Sequence, residues 1–358
     1  MERYSIELAI DLLQRLDLVT ELREWRSAAE LCAARLFQPR FAPALEWLLQ
    51  RLLETGCIES GANERVYRLG KPLWQPDLVS LRDKGLEIDP ANKPTFELLE
   101  YVASCYPVIA RGEQNGEQAL FDPRGVALWL SYFNNDNVTY AINNWIGAIV
   151  AAELLARKTK VRILELGAGA GSGTQSLLEC LDSRGLLQRI ERYVVSEPNA
   201  FFRRRNQRDL SIRYPHLPLE WQAFDIDTSW QLQGTQPGEF DLVYGVNVLH
   251  VARDLFFTLT QARTALAPQG WIVASECIRP FAGQPIYTEM IFQVLDSFTK
   301  VTIDPDFRPN AGFLTAQNWR RGFSVAGFVE VQVEPNVDAI REVYRHFFTG
   351  AICARANS

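Results

Sequence analysis

Apolar residues in the first 55 positions recur with the period of helices. The apolar residues between Ile6 and Leu16 fall on one helical face. Ser27-Ala28-Ala29-Glu30 has the form of a capping box, which predicts the start of a second helix. A third helix is predicted over residues 39–55. The chain therefore opens with three helices.

A short pattern of strand-forming residues follows the third helix and predicts a β-hairpin. Its strands are residues 57–59 and 65–69, and its turn is Ser60-Gly61-Ala62-Asn63. Three helices followed by a hairpin are typical of a winged helix. The third helix is not basic, because its apolar residues stand beside Glu46 and Glu54. We therefore expect its apolar face to serve dimerisation or substrate covering rather than DNA reading.

Four prolines punctuate residues 71–94, which predicts a linker with little regular structure. Helices are then expected over residues 95–110, 123–133 and 139–157. After them, strands alternate with helices, which is typical of a parallel sheet covered on both faces. The predicted strands are Val161–Leu166, Tyr193–Ser196, Leu219–Phe224, Phe240–Tyr244, Trp271–Glu276, Phe328–Val333 and Tyr344–Ala354.

The predicted fold is α/β, with a Rossmann-like sheet of seven strands. A winged-helix-like domain is expected at residues 1–75, a linker and helical lid at 76–157, and the sheet domain at 158–358.

Composition narrows the function classes. The 358 residues carry a net charge of −6, so no global positive field draws the chain to nucleic acid or anionic lipid. The N-terminus is charged, and no uninterrupted apolar run reaches about 18 residues, which favours a cytoplasmic protein without a membrane segment. The six cysteines lack paired spacing, so neither a zinc site nor a disulfide framework is predicted.

A glycine-rich turn separates the first predicted sheet strand from a helix. Glu165 precedes Gly167, Gly169 and Gly171, which recur at every second residue. Glycines here let the backbone approach a ligand closely, although a tight turn alone can require them. This spacing resembles the class I methyltransferase signature, which binds S-adenosylmethionine, rather than the dinucleotide pattern G-x-G-x-x-G.

Acidic residues follow the next two strands. Glu197 ends the second strand, at a sequence distance from the glycine turn that is compatible with hydrogen bonds to ribose hydroxyls. Asp225 and Ile226 follow the third strand, where class I methyltransferases place an acid on the adenine amino group and apolar residues on its ring. Asp227 is an equally plausible local candidate for the acid.

The ends of the fourth and fifth strands carry the residues best suited to catalysis. Asn247-Val248-Leu249-His250 follows the fourth strand, and Glu276 closes the fifth. Ligands of open α/β sheets bind outside the carboxyl ends of the strands, so neighbouring strands would raise His250 and Glu276 over one crevice. A carboxylate that holds one imidazole nitrogen makes the other a general base. The alternative is that His250 caps the next helix and Glu276 pairs with Arg279.

Further side chains are candidates for the acceptor site. Tyr132 and Tyr140 flank an asparagine-rich segment that either walls a lid over the substrate or packs in the core. Asn247 is a candidate for contacting both the methyl donor and the acceptor. Guanidinium binds carboxylate through two parallel hydrogen bonds, so three arginines are candidates for an anionic acceptor, namely Arg279, Arg320 and Arg321.

With these residues in place, the segment from about residue 120 to 354 resembles the C-methyltransferase domains of polyketide synthases. Asn247-Val248-Leu249-His250 is the most specific match, and Trp129-Leu130-Ser131-Tyr132-Phe133-Asn134 resembles that family's lid region. The layout is also similar to free-standing 2-oxo acid C-methyltransferases, such as those that act on 2-oxoarginine. The resemblance implies S-adenosylmethionine as methyl donor and a catalytic dyad of His250 and Glu276.

Both relatives imply the same chemistry. A carbon next to a carbonyl is deprotonated, and the enolate attacks the methyl group. In this chain His250 would take the proton, Glu276 would orient His250, and Asn247 or a lid hydroxyl would steady the enolate oxygen. No dense His/Asp cluster indicates a metal.

The chain begins with methionine and carries its own N-terminal part. We therefore expect a free-standing enzyme acting on a small molecule, a free 2-oxo acid of the 2-oxoarginine type. The apolar N-terminal helices predict that it is a homodimer. The alternatives are a β-ketoacyl thioester on a carrier protein and N- or O-methylation of a natural product.

Overall fold

The computed structural model describes residues 1–61 and 65–357; Ala62 and Asn63 of the predicted hairpin turn lie outside the described residues. The chain packs as two compact units. The helical unit consists of Met1–Tyr132 and Phe281–Lys300, and the sheet unit of Phe133–Pro280 and Val301–Ser358. These units are defined by packing, and the functional segments 1–75, 76–157 and 158–358 stay predictions.

The strands, numbered along the described chain, are β1 (Arg26–Ser27), β2 (Ile58–Ser60), β3 (Val66–Leu69), β4 (Val161–Leu166), β5 (Ile190–Ser196), β6 (Leu219–Gln222), β7 (Phe240–Val246), β8 (Leu266–Arg279), β9 (Leu314–Thr315), β10 (Phe328–Glu334) and β11 (Thr349–Ala356). Each of the seven predicted sheet strands overlaps one of β4–β8, β10 and β11.

The α-helices, numbered in the same way, are α1 (Glu2–Arg15), α2 (Ala28–Ala34), α3 (Ala42–Leu53), α4 (Leu78–Ile88), α5 (Lys93–Ala110), α6 (Gly116–Leu120), α7 (Pro123–Tyr132), α8 (Val138–Leu155), α9 (Ser172–Ser183), α10 (Ala200–Arg213), α11 (Leu255–Ala265), α12 (Glu289–Phe292), α13 (Asp296–Thr299), α14 (Ala316–Val325) and α15 (Val337–Val343).

The helical unit contains the predicted winged-helix elements. Glu30 N donates to Ser27 Oγ at 3.2 Å, and Ser27 N donates to the Glu30 carboxylate at 2.7 Å, so the capping box that starts α2 is formed. β2 and β3 pair antiparallel as the predicted hairpin. The short β1 adds to β3, giving the order β1-β3-β2.

The apolar face of α3 is covered within its own unit, so the expectation that it needs an outside partner is wrong. Trp47, Leu48 and Leu52 are buried. Trp47 Nε1 donates to Glu289 Oε2 at 3.1 Å, because the segment 281–300 returns to pack on the N-terminal helices. The prediction of a homodimer is therefore no longer supported by this face.

The expected linker contains a helix, α4, which corrects the prediction of little regular structure. The prolines lie on either side of this helix and do not interrupt it. Asp77 caps it, since Ser80 N donates to Asp77 Oδ1 at 3.1 Å. None of its residues is fully buried, so hydrophobic periodicity gave no signal for it.

The sheet unit is built on a mainly parallel sheet in the order β10-β11-β8-β7-β4-β5-β6. β4–β8 are parallel to one another, whereas β11 lies antiparallel between β8 and β10. The short β9 pairs with the end of β8. This arrangement confirms the predicted Rossmann-like α/β fold with seven long strands. It also places the carboxyl ends of β4, β7 and β8 side by side.

Among the described residues, one helix is long and apolar enough to cross a membrane by length and composition alone. This helix is α8, with a mean hydropathy of 1.3. Its residues Ala148, Ala151, Ala152 and Leu155 are buried in the core of the sheet unit. A core helix of this composition meets the same criterion as a membrane span.

Candidate functional site

The glycine turn after β4 takes a backbone conformation that needs glycine. Gly167, Gly169 and Gly171 have φ values of +57°, +52° and +86°, in the left-handed region that side chains disfavour. A Cβ on Gly167 would also lie 2.6 Å from a methyl carbon of Val248. The spacing of these glycines is therefore explained by backbone shape and close packing.

Gly169 is the position where the turn has room for a ligand. A Cβ there would meet a single neighbouring atom, the Gly167 carbonyl oxygen at 3.8 Å. The backbone is fastened on both sides, because Gly169 N donates to Glu197 Oε2 at 2.8 Å and Asn206 Nδ2 donates to Gly169 O at 2.7 Å. A rigid turn with open space above it fits the close approach of S-adenosylmethionine.

Glu165, predicted at the donor site, lies beneath the turn. Its side chain is buried, and Oε2 accepts hydrogen bonds from Thr174 Oγ1 and Tyr193 OH, both at 2.8 Å. Burial raises the pKa of Glu165 to about 7. These contacts connect β4, β5 and the first turn of α9, so Glu165 supports the turn from below.

The predicted ribose and adenine positions follow β5 and β6. The Glu197 carboxylate accepts from Gly169 N and from Asn199 N, each at 2.8 Å, and burial raises the pKa of Glu197. Asp225 is exposed, and Ile226 beside it is half-buried. Each carboxylate accepts one backbone hydrogen bond, Asp225 Oδ1 from Asp227 N at 2.9 Å and Asp227 Oδ1 from Arg253 N at 2.7 Å. The greater exposure of Asp225 favours it over Asp227 as the group available to a ligand.

His250 and Glu276 are in direct contact at the ends of β7 and β8. His250 Nδ1 lies 2.7 Å from Glu276 Oε2, and the two side chains are 3% and 0% exposed. Glu276 Oε1 accepts from Val248 N at 3.1 Å and from Leu249 N at 2.7 Å. In a neutral imidazole, a carboxylate that accepts at Nδ1 places the proton there and leaves the lone pair on Nε2. The adjacency of β7 and β8 assumed from the sequence is present.

Two residues around His250 were missed from the sequence. The ring of Phe313 lies 4.6 Å from the imidazole, measured between centroids. The buried Arg308 donates to the His250 carbonyl oxygen at 2.7 Å. Both come from the segment between β8 and α14, where no sequence pattern marks a site.

Polar side chains from α8, α9 and the ends of β7 and β8 form a second hydrogen-bonded cluster. The Tyr140 hydroxyl hydrogen-bonds with Ser172 and Asn247, and Cys277 Sγ donates to Asn247 Oδ1 at 3.5 Å. Burial raises the pKa of Tyr140, so the hydroxyl remains a proton donor. Asn247 has a φ of +51° and its backbone N donates to Ser275 O at 2.8 Å, which fixes the start of the His250 turn.

The asparagine-rich segment is fastened to the helix that follows the glycine turn. Asn144 Nδ2 donates to Asn135 Oδ1 at 2.8 Å, and Asn135 Nδ2 donates to Ser172 O at 3.1 Å. Phe133 packs edge-on against Tyr140, with ring centroids 4.9 Å apart. Tyr132, the other predicted aromatic wall residue, belongs to the helical unit.

The three candidate arginines are not gathered at one place. Arg320 and Arg321 are exposed on α14, and Arg321 forms an ion pair with Asp306 at 2.8 Å. Arg279 is buried and forms the last residue of β8. Within residues 1–61 and 65–357, no group of three or more His, Cys, Asp or Glu is placed to hold a metal ion.

Part of the chain matches a known protein family. Residues 164–272 match the model of a family described as a methyltransferase domain. The polyketide synthase ThaQ of Burkholderia thailandensis is 24% identical over 89% of this chain, which spans 15% of that protein. The highly reducing polyketide synthase acrA of Aspergillus aculeatus is 27% identical over 67% of this chain, spanning 10% of that protein. The chain thus corresponds to a small part of these relatives.

Solved structures show the same fold. The CurJ carbon methyltransferase has a TM-score of 0.84 and 24% identity, covering 100% of this chain and 91% of that one. The trans-methyltransferase CalH, in complex with SAH, has a TM-score of 0.70 and 20% identity, covering 99% of this chain and 89% of that one.

The fold is therefore that of the class I methyltransferases. With the family match over residues 164–272, the chain is an S-adenosylmethionine-dependent methyltransferase. The predictions of enzyme class and methyl donor are confirmed, as is the resemblance to polyketide-synthase methyltransferase domains.

Proposed function

We propose that the protein methylates carbon, and that its acceptor is the carbon between the two carbonyls of a β-ketoacyl thioester. The observation that carries the proposal is the buried contact of His250 Nδ1 with Glu276 Oε2 at 2.7 Å. A methyltransferase acting on an amine or a thiolate has little need of such a base, whereas a carbon acid must lose a proton before it becomes a nucleophile.

His250 acts as the base through Nε2. Glu276 holds the proton on Nδ1 and stabilises the imidazolium that forms when Nε2 takes the proton from carbon. The carbonyl oxygen becomes an enolate oxygen in this step. Tyr140 and Asn247, which hydrogen-bond with each other, are the donors we assign to that oxygen.

S-adenosylmethionine, when bound, supplies an electrophilic methyl group on a sulfonium centre. Gly169 leaves the space for it, Glu197 is assigned to its ribose, and Asp225 and Ile226 are assigned to its adenine. The enolate carbon forms the new carbon–carbon bond, the methyl–sulfur bond breaks, and His250 later releases the proton to water.

The thioester acceptor replaces the free 2-oxo acid expected from the sequence. A 2-oxo acid brings a carboxylate, yet the side chains of Arg320 and Arg321 are exposed to solvent, and Arg321 is paired with Asp306. Of the three candidate arginines, Arg279 alone is buried. A β-ketoacyl thioester brings no such charge, and its carbon between two carbonyls is more acidic. The relatives are polyketide synthases, which supports an acceptor carried on the thiol of a carrier protein.

Methyl transfer to a panel of acceptors tests the proposal. The protein is incubated with S-adenosylmethionine and acetoacetyl-N-acetylcysteamine, 2-oxoarginine, other 2-oxo acids, phenols and amines, and products are followed by mass. We expect a gain of one methyl group on the thioester. Gain on 2-oxo acids alone would restore the free-acid acceptor, and gain on phenols or amines alone would overturn C-methylation.

A further inference from the structure

The backbone that carries His250 is held by the segment between β8 and α14. Thr302 N donates to Arg253 O at 2.7 Å. The Arg308 guanidinium donates from one terminal nitrogen to His250 O at 2.7 Å and from the other to Ala252 O at 2.5 Å. Three carbonyls within four residues are therefore fixed by this one segment.

Arg308 is itself held in a tight turn. Asp304 N donates to Arg308 O at 3.0 Å, and Arg308 N donates to Asp304 O at 2.8 Å. Asp306 N donates to Asp304 Oδ1 at 2.8 Å, closing the turn from inside. The buried Phe307 next to Arg308 belongs to the core of the sheet unit. The guanidinium is thus presented from a backbone with little freedom.

Arg308 is 1% exposed, so its guanidinium lies in the interior. Burial lowers the pKa of Arg308 to about 10, while Asp227, Asp254 and Glu276 raise it, so the side chain is cationic at neutral pH. Burying a charge has a large desolvation penalty. A planar fork that reaches two carbonyls at once is the property arginine has and lysine lacks.

We propose that Arg308 is a positioning residue for the base. It fixes the 3₁₀ turn Leu249–Val251, so that Nδ1 of His250 faces Glu276 while its ring packs on Phe313. This sets the tautomer that leaves the lone pair on Nε2. The catalytic consequence rests on the proposed function, whereas the effect on the tautomer does not.

The tautomer is measured without any acceptor. The chain has three histidines, so a two-bond ¹H–¹⁵N spectrum of protein labelled at histidine shows which ring nitrogen of each carries the proton, and His250→Gln identifies the signals of His250. We expect the proton on Nδ1 in the wild type. In Arg308→Met we expect a mixture of the two tautomers, because the turn is released.

Arg308→Lys and Arg189→Met complete the set. Lysine keeps the charge but has a single nitrogen in place of the two that donate from Arg308, so an intermediate spectrum is expected. This variant decides the question if Arg308→Met does not fold. Arg189→Met is the control, because Arg189 also donates to two backbone carbonyls, Ala156 O and Lys158 O, both at 2.9 Å. Arg189 lies before β5 and does not hold the His250 turn, so this variant should leave the His250 signals unchanged. A wild-type spectrum in Arg308→Met, or in Arg308→Lys where the methionine variant does not fold, would overturn the proposal.

Rates add the catalytic consequence. With acetoacetyl-N-acetylcysteamine, kcat of Arg308→Met should fall at least about tenfold, with partial recovery in Arg308→Lys and an unchanged dissociation constant for S-adenosylmethionine. If the wild type methylates no acceptor, the proposed function fails and the tautomer measurement still decides the role of Arg308. An active enzyme whose kcat is unaltered in Arg308→Met would refute the catalytic consequence.

Discussion

Replacing Glu276 by glutamine tests how the dyad works with a minimal change of shape. The glutamine carbonyl can still accept from Val248 N and Leu249 N, which now donate to Glu276 Oε1 at 3.1 Å and 2.7 Å. The amide group then faces His250 Nδ1. An amide donates where the carboxylate accepted, so His250 must place its lone pair on Nδ1 and its proton on Nε2.

The size of the effect follows from this change of tautomer. A histidine protonated on Nε2 cannot take a proton there, and the wrong tautomer in a comparable carboxylate–histidine pair costs roughly ten-thousandfold in kcat. We expect a fall of roughly a thousandfold to ten-thousandfold. The free energy of unfolding should change less than the activation free energy of methyl transfer, because one hydrogen bond to a charged group contributes about 1.5–3 kcal/mol to stability.

The assay is methyl transfer to acetoacetyl-N-acetylcysteamine, with the affinity for S-adenosylmethionine measured by calorimetry. Glu7→Gln is the matched control, because Glu7 is also buried and its carboxylate accepts from Trp74 Nε1 at 2.8 Å in the helical unit. Glu276→Gln should lose turnover and keep donor affinity, while Glu7→Gln keeps both. Turnover of Glu276→Gln within about threefold of the wild type would refute the tautomer argument.

Three further predictions concern the donor site. The pKa of Glu165 is raised from 4.5 to about 7, so between these pH values the folded state keeps a proton that the unfolded chain has lost. The free energy of unfolding should therefore fall from about pH 4.5 to about pH 7, by at most about 1.4 kcal/mol per pH unit. Urea unfolding should show that Glu165→Gln removes this slope, and equal slopes in the wild type and the variant would contradict the prediction. Gly169→Ala should weaken S-adenosylmethionine binding, measured by calorimetry, at least about tenfold. Gly185 also has a positive φ and no atom within 4 Å of an added Cβ, so Gly185→Ala should leave this affinity unchanged. Equal losses of affinity in the two variants would indicate general strain. Asp225→Asn should weaken donor binding about threefold to thirtyfold by removing an acceptor charge, and a larger loss in Asp227→Asn would reverse the choice between these two acids.

The sheet and its glycine turn were predictable because their signals are local. Buried parallel strands are short apolar runs, and a turn with three positive φ values can hardly avoid glycine. His250 and Glu276 were also predictable as neighbours, because each follows a strand whose partner could be guessed from the alternation of strands and helices.

Arg308 was not predictable, because its partners are backbone carbonyls more than fifty residues earlier in the chain. Every residue has a backbone carbonyl, so the sequence does not show which carbonyls accept a hydrogen bond from a side chain. The cover of α3 was missed for a similar reason, since Trp47 meets Glu289 across 242 residues. The exposed helix α4 was missed because four prolines outweighed a single capping aspartate at Asp77.

The position of the transferred methyl group tests C-methylation by His250 most directly. S-adenosylmethionine labelled with ¹³C in its methyl group is supplied with acetoacetyl-N-acetylcysteamine to the wild type and to His250→Gln, and the product is read by NMR. We expect the label on the carbon between the two carbonyls for the wild type, and no labelled product from His250→Gln despite unchanged donor affinity. A label on oxygen or nitrogen would contradict C-methylation, and equal labelling by His250→Gln would contradict the role of His250 as the base.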